Sequence, residues 1–290
     1  MHIQKSYHSE ETSTVYVIPT PIGNLEDITF RALHKLKTAD VIAAEDTRNT
    51  KNLLRHFDID TPLISYHEHN KEARELELVE RLEKGENIAL VSDAGMPAIS
   101  DPGFELIQAA IKSEKNVVVL PGANAALCAL VGSGLPTSEF LFYGFLPRKK
   151  KAKEEELARL NALQATLLFY ESPYRLKETF ASLLEVLGDR HVVLTRELTK
   201  RFEEWIRGKT SEVMSWLKEN DVKGECVIVV EGNSNHELET NILWWSHLSV
   251  KEHVVHYIEE EKMHSKDAIK RVAKERQMPK REVYHHYHLE

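Results

Sequence analysis

Carboxylates and arginines gather at the ends of short apolar runs in this 290-residue chain. Glu45-Asp46-Thr47-Arg48 follows Val41 to Ala44, Glu171-Ser172-Pro173-Tyr174-Arg175 follows Thr166 to Tyr170, and Arg196-Glu197 follows Val192 to Thr195. A carboxylate at such an end can accept a proton or orient a hydroxyl, and an arginine beside it can grip a phosphate. The same residues serve as well in ion pairs between domains. Residue type alone therefore leaves both roles open for Glu45, Asp46, Glu171 and Glu197, and for Arg48, Arg175 and Arg196.

Three further loops invite a ligand. Pro19-Thr20-Pro21-Ile22-Gly23-Asn24 is a stiff turn that exposes backbone groups, yet it fits neither the dinucleotide fingerprint nor the P-loop. Ser92 through Gly103 packs small residues, two prolines, two glycines and two aspartates into twelve positions. Small residues let a ligand approach the backbone closely. Pro121-Gly122-Ala123-Asn124-Ala125-Ala126 turns into a small-residue helix, where a flat group such as an adenine ring has room to pack; close helix–sheet packing explains it equally. No metal constellation stands out. His67 with His69, and His253 with His256, lack a carboxylate or cysteine partner at ligand spacing. There is no nucleophile elbow around a serine.

The elements that must position these loops follow from periodicity. Val15 to Pro19, Val41 to Ala44, Pro62 to Tyr66, Ile88 to Val91 and Val117 to Leu120 read as strands. Near-continuous apolar runs suit parallel strands buried on both faces. Helical spacing over Ile28 to Leu36, around Leu53 to Phe57, over Leu76 to Leu82 and over Phe104 to Ile111 fills the gaps, which predicts an α/β domain with a mostly parallel sheet. Ligands of such sheets sit beyond the carboxyl ends of strands. Phe140 to Pro147 is strand-like, and the charged run from Arg148 to Glu156 marks a boundary. The alternation then restarts: Thr166 to Tyr170, Val192 to Thr195 and Cys226 to Val230 as strands, Tyr174 to Leu187 and Ser211 to Leu217 as helices. From Ser249 the pattern is helical throughout, with a capping box at Ser249 and Glu252, a cap at Ser265, and Pro279 in the first turn of a third helix. The expected organisation is a tail (1–14), an α/β domain (15–147), a smaller α/β domain (148–235) and a basic, helix-turn-helix-like extension (236–290).

Composition bounds the class. With 42% hydrophobic and 29% charged residues the chain is of ordinary globular type, and no apolar run reaches membrane-helix length. Met1 to Thr14 lacks the apolar core of a signal peptide. Cys128 and Cys226 sit in apolar segments and read as buried free thiols of a cytoplasmic protein. The net charge is −8, but Lys262 to Arg281 carries eight basic and two acidic residues. A basic module on an acidic body can dock on an anionic polymer. Arg148, Lys149 and Lys150, with Lys270, Lys274, Lys280 and Arg281, are the candidate contacts.

In this order, Pro19 to Leu25, Ala44 to Arg48, Ser92 to Gly103, Phe142-Tyr143-Gly144-Phe145-Leu146-Pro147, Glu171-Ser172-Pro173 and Leu194 to Glu197 resemble the signatures of the ribosomal RNA small-subunit methyltransferase I family. That family lies within the tetrapyrrole methylase superfamily of class III methyltransferases. The resemblance covers roughly Val15 to Gly232, and the terminal helices resemble an extension found in many members. It implies two α/β domains with S-adenosylmethionine in the cleft between them, in a homodimer. It implies methylation of a cytidine ribose 2′-hydroxyl in the decoding region of small-subunit ribosomal RNA, read within an assembled subunit. Cofactor contacts are implied for Pro21, Ile22, Gly23 and Asn24; for Asp93, Ala94, Gly95, Ile99 and Ser100; for Ala123, Asn124 and Ala125; and for Ser172. One of Glu45, Asp46, Glu171 and Glu197 would serve as base or orient the hydroxyl. Arg48, Arg175 and Arg196 would hold phosphates. Two rivals are a tetrapyrrole-ring methylase, which the basic helices disfavour, and a ligand-sensing helix-turn-helix regulator, for which the motif-rich cleft would be over-built.

Overall fold

The computed structural model describes residues 3–5, 13–233, 245, 248–276 and 278–288. The chain divides into two compact units, 1–233 and 234–290. In the first unit, five short aliphatic strands form an all-parallel sheet: β1 (Thr14–Val17), β2 (Val41–Ala44), β3 (Leu63–Ser65), β4 (Ile88–Val91) and β5 (Asn116–Val119), in the order β3-β2-β4-β1-β5. Every residue of β2 and β4 is buried, as both faces are covered. Helices α1 (Phe30–Thr38) and α2 (Thr47–His56) supply Leu36 and Leu54 to one face, and α3 (Lys71–Glu83) and α4 (Phe104–Lys112) supply Leu78 and Leu106 to the other. Because β4 separates β1 from β2, the loops leaving β1, β2 and β4 emerge side by side at the carboxyl edge. That is the usual ligand position in such sheets.

The second sheet is mixed. It contains β6 (Phe140–Phe145), β7 (Thr166–Glu171), β8 (His191–Arg196), β9 (Glu204–Lys209) and β10 (Cys226–Val230), in the order β6-β7-β10-β8-β9. β6 runs parallel to β7, and the other pairs are antiparallel. Since β10 runs opposite to its neighbours, its first residue, Cys226, faces both Glu171 and Arg196 at their strand ends. Three helices, α6 (Lys150–Leu160), α7 (Leu176–Leu187) and α8 (Thr210–Glu219), pack on one face around Phe169, Phe180 and Ile228. Helix α5 (Ala125–Ser133) packs on the other through Ala126, Ala129 and Leu130. Gly132 is required there, because a Cβ would collide with the Trp205 indole.

Several expectations are corrected. Phe140 to Phe145 belongs to the second sheet, so that sheet begins before the charged run taken as the boundary. The apolar pattern does not predict β9, because Glu204–Lys209 is a partly exposed edge strand without a strong apolar run. Thr14 lies in β1, not in a tail. Cys128 is exposed, since α5 is apolar on its outer face as well as its inner one, while Cys226 is buried. Lys153, within the charged run, is fully buried, its Nζ bonded to Glu178 Oε1 at 3.0 Å and Thr179 Oγ1 at 3.3 Å.

The second unit contains α9 (Val250–Glu259), α10 (Ser265–Glu275) and α11 (Lys280–His288), closed over Val254, Tyr257, Ile269, Val272 and Val283. The Ser249–Glu252 capping box forms in both directions. His264 rather than Ser265 occupies the cap of α10, and no side-chain bond closes it. The expected start of the extension (236–244), most of the tail (6–12) and residues 289–290 lie outside the described residues.

Candidate functional site

A cleft of about 460 Å³ lies where the carboxyl edge of the first sheet meets the second. Its first-sheet side carries Ile22, Glu45, Asp93, Ala94, Gly95, Ile99, Ser100, Asn124 and Ala125, all singled out in the sequence. The β1 and β4 loops are zipped by two backbone bonds between Thr20 and Gly95, at 3.0 and 2.9 Å. Gly95 has φ +77°, and an added Cβ would come 3.3 Å from Ile22 and 3.7 Å from the Ala123 carbonyl. Glycine thus supplies a left-handed turn and keeps three loops close together. Asn124 caps α5, its Oδ1 accepting from Leu127 N at 2.9 Å.

The four candidate carboxylates separate. Glu45 is half-buried in the cleft and accepts weakly from Asp93 N at 3.4 Å. Burial and the nearby charge of Asp101 raise its carboxyl above the ordinary range, against the Asp93 N–H, which lowers it. Asp101, also in the cleft, is raised by burial. Asp46 instead caps α2, accepting from Arg48 N at 2.8 Å and from the Arg48 guanidinium at 2.8 and 3.1 Å. Those bonds hold it down to about 2. Glu171 lines the cleft but is fully engaged below it. It accepts from Ser172 N at 2.8 Å and Thr179 Oγ1 at 2.6 Å, with Arg175 Nε at 3.4 Å. Glu197 does not line the cleft. It accepts from Lys200 Nζ at 2.9 Å, which lowers its carboxyl, and from Glu225 N at 3.1 Å.

The arginines divide as sharply. Arg175 donates to the carbonyls of Leu146 and Pro147 at 2.8 and 3.2 Å, and Arg196 pairs with Glu204 at 2.6 Å and reaches the Lys223 carbonyl. Both are engaged inside the fold. Arg48 is 88% exposed but pairs with Asp46. Arg148, Lys149, Lys150, Lys270, Lys274, Lys280 and Arg281 are exposed.

Of the expected cofactor residues, Pro21 and Gly23 line an adjoining depression with Asn49 and Asp93, and Ser172 lines the cleft. Asn24 caps a short 3-10 turn, its Oδ1 accepting from Glu26 N. Ala123 is absent from the lining. The sequence reading missed Met96, Asp101, Phe145, Tyr170, Leu198 and Glu225, which line the cleft. Met96 and Asp101 had a signal, as members of the long loop after β4; the others lie at or next to strand ends of the second sheet.

The chain matches the model of the Tetrapyrrole (Corrin/Porphyrin) Methylases over residues 14–214. It is 54% identical over 291 residues to Ribosomal RNA small subunit methyltransferase I of Halalkalibacterium halodurans, covering 100% of both chains. It is 53% identical to that of Bacillus subtilis, covering 99% of this chain and 98% of the relative. The chain belongs to the ribosomal RNA small subunit methyltransferase I family. A solved uroporphyrin-III C-methyltransferase of Thermus thermophilus, in complex with S-adenosylhomocysteine, has the same fold (TM-score 0.53, 18% identity, 76% of this chain and 97% of that one). Members of this family take their methyl group from S-adenosylmethionine. The cleft fits such an amphiphile: small and apolar walls at Ala94, Gly95, Ala125, Ile22 and Leu198 suit a ring, and Asp93, Asp101 and Glu225 suit an ammonium group. Among the described residues, no group of three or more His, Cys, Asp or Glu is arranged to hold a metal, and no helix is long and apolar enough to cross a membrane.

Proposed function

We infer that this protein methylates small-subunit ribosomal RNA, at the ribose 2′-hydroxyl of a cytidine. The observation that carries the reading is identity above 50% over the full length to relatives named Ribosomal RNA small subunit methyltransferase I; the cytidine 2′-hydroxyl is the acceptor that the family resemblance implies. The cofactor would be held by Ile22, Gly95, Ile99, Asn124, Ala125 and Leu198, where it supplies an electrophilic sulfonium methyl. Glu45 takes the hydroxyl proton. Its raised carboxyl is a stronger base than an ordinary one, and no cation pairs with it among the described residues. Glu171, engaged on both oxygens, holds the Ser172–Pro173 turn in the cleft wall.

RNA docks through the exposed cations of 148–150 and of α10 and α11, within an assembled subunit in the cytoplasm. The protein acts as a homodimer, a reading supported by the apolar outer face of α5, with Leu127 48% and Val131 74% exposed.

Calorimetry with S-adenosylmethionine and S-adenosylhomocysteine, followed by transfer of labelled methyl to purified small subunits, tests this reading. Binding of both ligands and one 2′-O-methylcytidine in the RNA are expected. Changing Lys270, Lys274, Lys280 and Arg281 to glutamine should flatten the salt dependence of RNA binding by about 0.7–0.9 in slope per lost phosphate contact. Cofactor binding without transfer to subunits or free RNA would sink the acceptor assignment.

A further inference from the structure

Phe145 is 56% exposed, yet it lines the cleft. Simple alternation would put residues 142 and 145 on opposite faces of β6. A register shift intervenes: Phe142 faces Leu168, Gly144 faces Phe169, and Tyr143 is the extra residue. Gly144 sits at φ +81°, a conformation glycine adopts readily. The bulge re-aims the strand end. As a result Phe142 and Phe145 both meet the Tyr170 ring, at 4.8 and 5.7 Å between centroids, while Tyr143 turns to the opposite core. The sheet gives up regular pairing here to present an aromatic ring to the cleft. Three residues further on, Arg148 and Lys149 are exposed cations.

A ring open to solvent beside a charged run suits a ligand with a flat face and a phosphate. A nucleotide drawn out of the stack to bring its ribose into a deep cleft leaves a bare base to be accommodated. Aromatic side chains receive such bases by stacking, whatever their identity.

Taking RNA as the acceptor inferred above, we propose that Phe145 is the stacking platform for the extruded nucleobase, with Arg148 and Lys149 holding the adjoining phosphates. The bulge at Gly144 aims the ring, and Tyr170 braces it from behind.

The test uses the full-length protein with Phe145→Ala, Phe145→Leu and Phe145→Trp. Three quantities are read: methyl transfer to small subunits, S-adenosylhomocysteine affinity by calorimetry, and quenching of a single-stranded RNA containing 2-aminopurine. The Ala and Leu variants should each lose roughly 10- to 100-fold in kcat/KM for RNA and lose the quenching. The Trp variant should retain both, and all three should bind S-adenosylhomocysteine as wild type does. Phe30→Ala, which removes a 94% exposed ring on α1, should change nothing. A Leu variant equal to wild type would overturn stacking, as would weakened cofactor binding, a changed oligomeric state in the Ala variant, or absence of quenching in the wild type. Quenching by the wild type without methyl transfer would leave the platform standing and remove the methylation reading alone.

Discussion

Glu45 and Asp101, on the first-sheet side of the cleft, have no ion-pair partner among the described residues. On the second-sheet side, Glu171 meets Arg175 at 3.4 Å, and Lys200 ties the lining residue Glu225, at 2.8 Å, to Glu197, which stands outside the lining, at 2.9 Å. The residue types are alike, and Glu45, Glu171, Glu197 and Glu225 all sit at strand ends, but the electrostatics are opposite. Burial without a cation raises Glu45 and Asp101, and a lysine hydrogen bond lowers Glu197. A carboxyl held above its ordinary range can trade a proton; one locked to a cation can only hold a loop in place. The cleft thus has one side suited to chemistry and one suited to shape.

The largest effect that would break this contrast is on turnover. Glu45→Gln keeps the shape and removes the base, so kcat should fall about 10²- to 10⁴-fold with cofactor affinity unchanged. The wild-type rate should fall on acidification through the raised Glu45 value, above the ordinary carboxyl range, and the residual rate of the variant should lack that limb. An unchanged kcat would remove Glu45 from the reaction and turn attention to Asp101.

Glu171→Ala probes the other side. It strips three donors of their acceptor: Ser172 N, Thr179 Oγ1 and Arg175. The carboxylate is fully buried, and breaking such an arrangement costs about 3 kcal/mol or more. Urea unfolding should register that loss. If kcat fell as far as in Glu45→Gln without loss of stability, Glu171 would be the reacting carboxylate and the two sides would exchange roles.

The first sheet was largely legible because its strands are near-continuous aliphatic runs, and the loops that follow them carry the small residues and aspartates of the cleft. The second sheet was less so. β9 pairs by its edge and shows no strong apolar run, and β6 abuts a charged stretch that looks like a linker but becomes α6, with Lys153 turned inward. The choice among Glu45, Asp46, Glu171 and Glu197 was not legible at all. It depends on which donor reaches each carboxylate: Asp46 is taken by its own helix terminus, Glu171 by Thr179 eight residues on, and Glu197 by the start of β10. Those partners are products of the fold, not of spacing.

The smallest effect sharpens the contrast through linkage. Glu45 and Asp101 bind a proton more tightly in the folded protein than in the unfolded chain. Their contribution to stability is therefore present at low pH and lost as pH rises from the ordinary carboxyl range through the raised values. Glu197 works in the other direction: its contribution is present above the ordinary carboxyl value and lost as pH falls through its lowered one. Glu45→Gln should then raise the unfolding midpoint near neutral pH and flatten its decline on the alkaline side of the carboxyl range. Glu197→Gln should lower the midpoint near neutral pH and flatten the decline on the acid side. Thermal unfolding of both variants from pH 3 to pH 8 reads the two slopes. Slopes of the same sign would mean that both sides of the cleft are electrostatically alike, and the base assigned to Glu45 would lose its physical ground.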